Sequence, residues 1–176
     1  MSDELILLVM HGMSPKDFPA TEKKEYMRLR SQFDYSHLAV PTEPSIERAR
    51  FDDLERKIRQ WPRTPENDPF YFSAQTIAQE LSRISDKPVL VGFNEFCAPD
   101  VLEVFDQAAK LNPKIIYIIT PMLTSGGFHS EVEIPQQISV AQKKYPKIRF
   151  EYAWPFSASR IAEFLSGQIK IFANPQ

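Results

Sequence analysis

The segment Lys114-Ile-Ile-Tyr-Ile-Ile-Thr120 runs directly into Pro121-Met-Leu-Thr-Ser-Gly-Gly-Phe-His-Ser-Glu-Val-Glu-Ile-Pro135. Its first part is an unbroken apolar run rich in β-branched residues. That is the pattern of a strand covered on both faces, as in a parallel α/β sheet. Its second part holds the Gly126-Gly127 pair, then His129, Glu131 and Glu133, and enters a helix at Pro135, a residue suited to the first helical turn. A strand that empties into a polar loop and then a helix is the repeating unit of an open α/β sheet. In such sheets ligands bind beyond the carboxyl ends of the strands.

The same grammar extends in both directions. Glu4-Leu-Ile-Leu-Leu-Val-Met10 is a second buried run and ends in His11-Gly12. Pro88-Val-Leu-Val-Gly-Phe93 is a third and leads into Asn94 and Glu95. In Ile148-Arg-Phe-Glu-Tyr-Ala153 apolar and charged residues alternate, which predicts a strand at a sheet edge. Helices are expected from a Thr21 N-cap to about Arg30, and from Pro44 with Phe51, Leu54, Ile58 and Trp61 at helical spacing. A third follows Asp68-Pro69, its core face being Ala74, Ile77, Ala78, Leu81 and Ile84, and a fourth follows Pro99-Asp100. The helix over about 131–144 turns Ile134, Ile138 and Ala141 inward, and a last one, capped by Ser157, carries the stripe Ile161, Phe164, Leu165 and Ile169.

This order predicts an α/β fold: a four-stranded parallel sheet with right-handed crossovers, flanked by helices. The first crossover, from His11 to Lys87, far exceeds the dozen or so residues such a connection needs. Residues 34–72 therefore read as a helical insertion within one domain spanning 1–176.

A formal net charge of −2 argues against a general nucleic-acid binder. The single cysteine, Cys97, permits no internal disulfide. The acidic Met-Ser-Asp-Glu start is unlike a signal peptide, and no apolar run approaches a membrane span. No nucleic acid and no membrane are expected as partners, and the expected location is the cytoplasm.

The polar residues at the strand ends converge by topology: His11 after the first strand, Asn94 and Glu95 after the second, His129, Glu131 and Glu133 after the third. Each also has an ordinary reading. A lone histidine near a strand end is more often a structural hydrogen-bonder than a ligand. Glu131 and Glu133 in a first helical turn suit the helix dipole. Glu95 suits pairing with a nearby lysine, His37 reads as surface, and Cys97 reads as a small buried residue. There is no Gly-x-Gly-x-x-Gly, no phosphate loop and no Gly-x-Ser-x-Gly elbow. Histidine phosphatases carry an arginine just before their His-Gly, where this chain has Met10.

The three quoted stretches together resemble the class II tetrapyrrole chelatases. Leu8-Val-Met-His-Gly12 is similar to the strand ending in His-Gly. Gly92-Phe-Asn-Glu-Phe-Cys-Ala-Pro99 is similar to the strand leading to a Glu and a Pro-initiated helix. Pro121 to Pro135 is similar to the Pro-x-x-x-x-x-Gly-x-His stretch with an acidic residue and Ile-Pro. The resemblance is to the short CbiX/SirB type, the sirohydrochlorin cobalto- and ferrochelatases, with a chelatase-like, flavodoxin-like half as its fold. It implies that His11 and His129 bind the incoming metal and help deprotonate the macrocycle. It implies catalytic support from Glu133, and a substrate-binding role for Gly12, Glu95, Gly126 and Gly127. It further implies no permanent cofactor, a divalent metal (Co2+, Ni2+ or Fe2+) as substrate, a tetrapyrrole as the other substrate, and a homodimer. Arg160 is a candidate for ring carboxylates by position alone. Met13 and Ser14 stand where the family has Ser and then Arg or Lys, and the long insertion is unusual for short members. That insertion lids the site, adds dimer surface, or marks a branch with another substrate or with no chelatase activity. The alternative to a chelatase is a metal or tetrapyrrole carrier on the same fold, and a more distant one is a hydrolase or phosphatase using His11.

Overall fold

A computed structural model describes residues 3–33 and 45–173. Its sheet has four parallel strands, β1 (Glu4–Met10), β2 (Val89–Phe93), β3 (Ile115–Ile119) and β4 (Arg149–Tyr152), in the order β2-β1-β3-β4. The helices are α1 (Ala20–Phe33), α2 (Ile46–Arg59), α3 (Pro69–Ser85), α4 (Val101–Lys110), α5 (Ile134–Lys144) and α6 (Ala158–Ala173). β4 lies at the edge its alternating pattern predicts.

β1 is the centre of the molecule because its apolar residues serve both faces. Leu8 and Met10 join one core with Tyr26, Leu29, Phe51, Leu54, Ile58, Ala74, Ala78 and Phe93, beneath α1, α2 and α3. Leu5, Leu7 and Val9 join a second core with Val101, Val104, Phe105, Ile116, Ile118, Ile134 and Ala141, beneath α4 and α5. The period-two alternation of strand side chains assigns these residues to opposite faces. Registers such as Leu8↔Val91 and Leu8↔Ile119 bring the carboxyl ends of β1, β2 and β3 out on one side.

Several boundaries differ from the sequence reading. α1 begins at Ala20 rather than after a Thr21 cap, because the Lys23 N–H is taken by the Pro19 carbonyl, and it continues to Phe33. Pro44 and His37 lie outside the described residues, and Ser45 caps α2 by accepting from the Arg48 N–H. Asp68 caps α3 as expected, accepting from the Tyr71 N–H. On α3, Ala74 and Ala78 are buried but Ile77 and Ile84 are exposed. The helix packs on β2, an edge strand too narrow to cover its whole apolar arc. The helix expected over about 131–144 starts earlier and differently: residues 129–133, with His129 expected in the loop, form a π-helical turn that passes directly into α5. No residue of α6 is buried; its apolar stripe faces outward. Among the described residues no helix is long and apolar enough to cross a membrane.

α2 is bound tightly to the rest of the fold. Arg59 donates to the Asn94 and Cys97 carbonyls and pairs with Glu55, which also receives the Tyr26 hydroxyl. Arg63, nearly buried, donates to the Met13, Ile58 and Phe96 carbonyls and to Asp68.

Candidate functional site

The ends of β1 and β2 remain paired past the last sheet residues. The Asn94 N–H donates to the Met10 carbonyl (2.9 Å) and the Glu95 N–H to the His11 carbonyl (2.8 Å). This sets His11 beside Glu95. Gly12 makes the approach possible: it has φ +104°, and a Cβ there would lie 1.8 Å from the Glu95 carbonyl oxygen. A left-handed backbone and a contact that close admit only glycine. The reason for His-Gly is thus local and steric, and Gly12 acts through backbone spacing.

His129 arrives from β3 by another route. The loop turns at Gly126, whose φ of +92° suits glycine and whose N–H donates to Glu131 (2.8 Å). A Cβ on Gly127 would meet the Ser130 Oγ at 3.0 Å. The π-turn then closes with the Ile134 N–H on the His129 carbonyl, and Tyr152 of β4 holds the turn by donating to the Ser130 carbonyl (2.9 Å). His129 and Glu133 fall on the same side of the turn, where the Glu133 carboxylate pairs with His129 Nδ1.

The two histidine rings meet edge to face with centroids 4.8 Å apart. Glu95 lies between them, with Oε2 3.5 Å from His11 Nδ1 and Oε1 3.2 Å from His129 Nε2. One ligand atom from each of His11, Glu95 and His129 can be chosen so that all lie within 4.8 Å of one another. Arg30 of α1 also pairs with Glu95 Oε1. Burial works against the Glu95 charge, but the hydrogen bonds from His129 and Arg30, with the charges of Arg30 and His11, outweigh it and hold the carboxyl at about 2. His129, hydrogen-bonded by Glu133 and Glu95, is pushed up to about 9 against the opposing effect of burial. His129 thus stands as an imidazolium between the Glu95 and Glu133 carboxylates below about pH 9.

The predicted residues thus divide. His11, Glu95 and His129 come together, Glu133 stands directly behind His129, and Gly12 spaces the chains. Glu131 serves the loop rather than the cluster. Gly126 and Gly127 shape the approach to His129 through the loop backbone. Glu95 pairs with an arginine and two histidines, not with the expected lysine. Cys97 is buried, as expected, and its thiol is pushed up to about 11, chiefly by burial. Arg30 escaped the sequence reading because it stands among the many charges of α1, with no local signal to single it out.

Beside the cluster lies a cavity of about 470 Å³. It shares Arg30, Glu95 and Glu133 with the cluster. Its other walls come from α2, the Asn94 turn and α5; Arg160, in the first turn of α6, does not line it.

The CbiX family model matches residues 67–170. No curated protein matches. Among solved structures, the sirohydrochlorin chelatase SirB from Bacillus subtilis subspecies spizizenii in complex with cobalt is similar at 17% identity and TM-score 0.42, over 88% of this chain and 44% of that one. SirB from Bacillus subtilis with Fe3+ is similar at 16% identity and TM-score 0.47, over 99% and 49%. A CbiX protein from Marinobacter aquaeolei VT8 is similar at 12% identity and TM-score 0.45, over 95% and 94%. The chain spans less than half the length of the two SirB chains. The family rests on the sequence match, which runs from the loop ahead of α3 into α6 and takes in Glu95, His129 and Glu133. A match over more than half of its residues means that this chain belongs to the CbiX family.

Proposed function

We propose that this protein is a metal chelatase, inserting Co2+, Ni2+ or Fe2+ into sirohydrochlorin or a related tetrapyrrole. The observation that carries this reading is the convergence of His11, Glu95 and His129 beside an open cavity. Two imidazoles and a carboxylate suit borderline divalent ions. A set of only three protein ligands leaves coordination positions for the ring nitrogens, whereas a closed four-ligand site would retain its metal.

In this reading Glu133 orients His129 through Nδ1, leaving Nε2 for the metal. Metal entry displaces the Nε2 proton, and the Glu95 carboxylate turns from His129 to the ion. Insertion also requires two pyrrole N–H protons to leave. His11 is the more open of the two histidines, its side chain 46% exposed against 20% for His129, and on releasing the ion to the ring nitrogens its freed nitrogen serves as a base for a pyrrole proton. The inserted segment around α2 forms the wall of the substrate cavity.

The test mixes protein, sirohydrochlorin and each metal and follows the absorption change. Acceleration over the uncatalysed rate, lost in both His11→Ala and His129→Ala, is the expected result. An unaccelerated rate overturns the enzyme reading, and tight binding without turnover replaces it with a carrier.

The working unit in this proposal is a homodimer. Phe164, Leu165, Ile169, Ile171 and Phe172 are all more than half exposed on α6, a contiguous apolar surface of the kind that marks an interface. Light scattering should show a dimer for the unmodified chain and a monomer for Phe164→Glu; a monomer in both cases removes the assignment.

A further inference from the structure

The two oxygens of Glu95 have different neighbours. Oε2 lies 3.5 Å from His11 Nδ1. Oε1 is shared between His129 Nε2 and the Arg30 guanidinium. Arg30 reaches it from α1, one position after the buried Leu29 and one turn after the buried Tyr26, so it leaves the helix on the side packed against the fold. Its guanidinium carbon stands 5.0 Å from the centre of the Phe96 ring, within range of a cation–π contact. Phe96 follows Glu95 in the chain, so the turn after β2 holds the guanidinium both by its plane and by its end. The side chains of Arg30 and Glu95 are only 15% and 10% exposed. A cation fixed in a place so little screened by water acts on any charge that enters the cluster.

An arginine behind a ligating carboxylate works against metal binding, whereas a carboxylate behind a histidine works for it. Glu133 lends negative charge to His129 and strengthens it as a ligand. Arg30 draws charge from Glu95, occupies one of its oxygens, and repels a divalent cation beside it. It also lowers the cost of emptying the site. A poorly hydrated carboxylate abandoned by its ion is left uncompensated unless another cation is already in place. Arg30 is that cation.

We infer that Arg30 is a positioning residue that keeps Glu95 Oε1 from the ion, so that the cluster holds a divalent metal through a single carboxylate oxygen and lets it go quickly. This rests on the proposed metal site and adds to it the control of release. A site that must hand its ion on gains from a fixed counter-cation: the metal is held less tightly while bound, and the carboxylate keeps a partner once the metal has left.

Release of Co2+ tests this without any tetrapyrrole. Protein loaded with Co2+ is mixed in a stopped-flow instrument with an excess of a colour-forming chelator, and the rate is read at one pH. Release depends on the filled site alone, so proton competition for the empty histidines does not enter. Arg30→Gln should release Co2+ about tenfold or more slowly, because a nearby unit of positive charge is gone. Arg30→Met, which keeps the apolar stem over Phe96, should do the same and serves if the glutamine variant folds poorly. Arg30→Lys restores the charge and should return most of the unmodified rate. The visible absorption of bound Co2+ should weaken in Arg30→Gln and Arg30→Met, as the second carboxylate oxygen raises the coordination number, and stay unchanged in Arg30→Lys. A merely structural role for Arg30 predicts the opposite sign, since a loosened Glu95 speeds release. Release as fast as in the unmodified protein, or faster, overturns the inference. A Co2+ load that is abolished by His129→Ala yet leaves at the same rate with and without Arg30 overturns it alone. A load that His129→Ala does not change overturns the metal-site reading, and the inference with it.

Discussion

The two histidines reach the same place by opposite means. His11 stands on a strand end held by main-chain bonds to β2, and its position depends on a glycine that lets two backbones touch. His129 stands on a π-turn after an open loop, and its ring is held by side chains, Glu133 behind and Glu95 in front. One histidine is fixed by the sheet, the other by its neighbours' charge. The first arrangement rests on main-chain hydrogen bonds; the second rests on side-chain charge and so on the proton that His129 carries.

If that contrast is right, Gly12→Ala has the largest effect. A Cβ 1.8 Å from the Glu95 carbonyl, at φ +104°, has no room to relax. The loss should be roughly 3–5 kcal/mol of stability, in the range of the severest single substitutions. Urea titration measures it, and a loss below about 1 kcal/mol would show that the β1 end is not backbone-locked.

Glu95→Ala comes next, because it strands Arg30, whose side chain is 15% exposed, and removes a carboxylate from the cluster. Breaking such a pair costs about 3 kcal/mol. The sign of its pH dependence follows from the depressed carboxyl. The stabilisation is present above the unfolded value near 4.5 and is lost as pH falls towards 2. Acid unfolding monitored by circular dichroism should therefore lose a step in this range in the variant; an identical acid limb would mean that Glu95 contributes nothing.

Glu133→Gln should act mainly on metal affinity, weakening Co2+ binding by about 10–100-fold, the usual cost of losing a carboxylate behind a histidine ligand. The raised His129 value has two consequences. Its contribution to stability is complete below about 6.5 and is lost as pH rises through about 9. Metal must also displace the same proton, so Co2+ affinity should climb between those values. In Glu133→Gln the climb should end at lower pH. Calorimetric titration at several pH values decides, and an unshifted profile would remove Glu133 from the control of His129.

The smallest effect belongs to Gly126→Ala. A Cβ there meets nothing within 4 Å, so only the φ of +92° is strained, costing roughly 1–2 kcal/mol. Similar losses at Gly12 and Gly126 would erase the distinction between the two ends.

Much of this is legible in the chain itself, and for definite reasons. The strands are readable because β1 and β3 are covered on both faces and hence apolar throughout. The meeting of His11 and His129 follows from parallel topology alone. What escapes is whatever depends on tertiary geometry. The π-turn is invisible to periodicity, since an i→i+5 bond leaves the residue pattern of a helix unchanged. Ile77, Ile84 and the stripe of α6 show that periodicity finds an apolar arc without saying what covers it. Arg30 carries no local mark, because its meaning lies in residues distant along the chain.

Arg63 gives the segment around α2 a mechanical character. One nearly buried guanidinium ties the turn after β1, the last turn of α2, the turn after β2 and the cap of α3. Those pieces behave as a keystone and its stones: lifting α2 alone means breaking several charge-assisted bonds at once. Of the two jaws that enclose the cavity, the α2 jaw is therefore the anvil. In the proposed reaction, breathing large enough to admit a flat ring would fall to the α5 jaw, whose π-turn also carries His129, so that admitting the ring and setting that histidine would be a single movement.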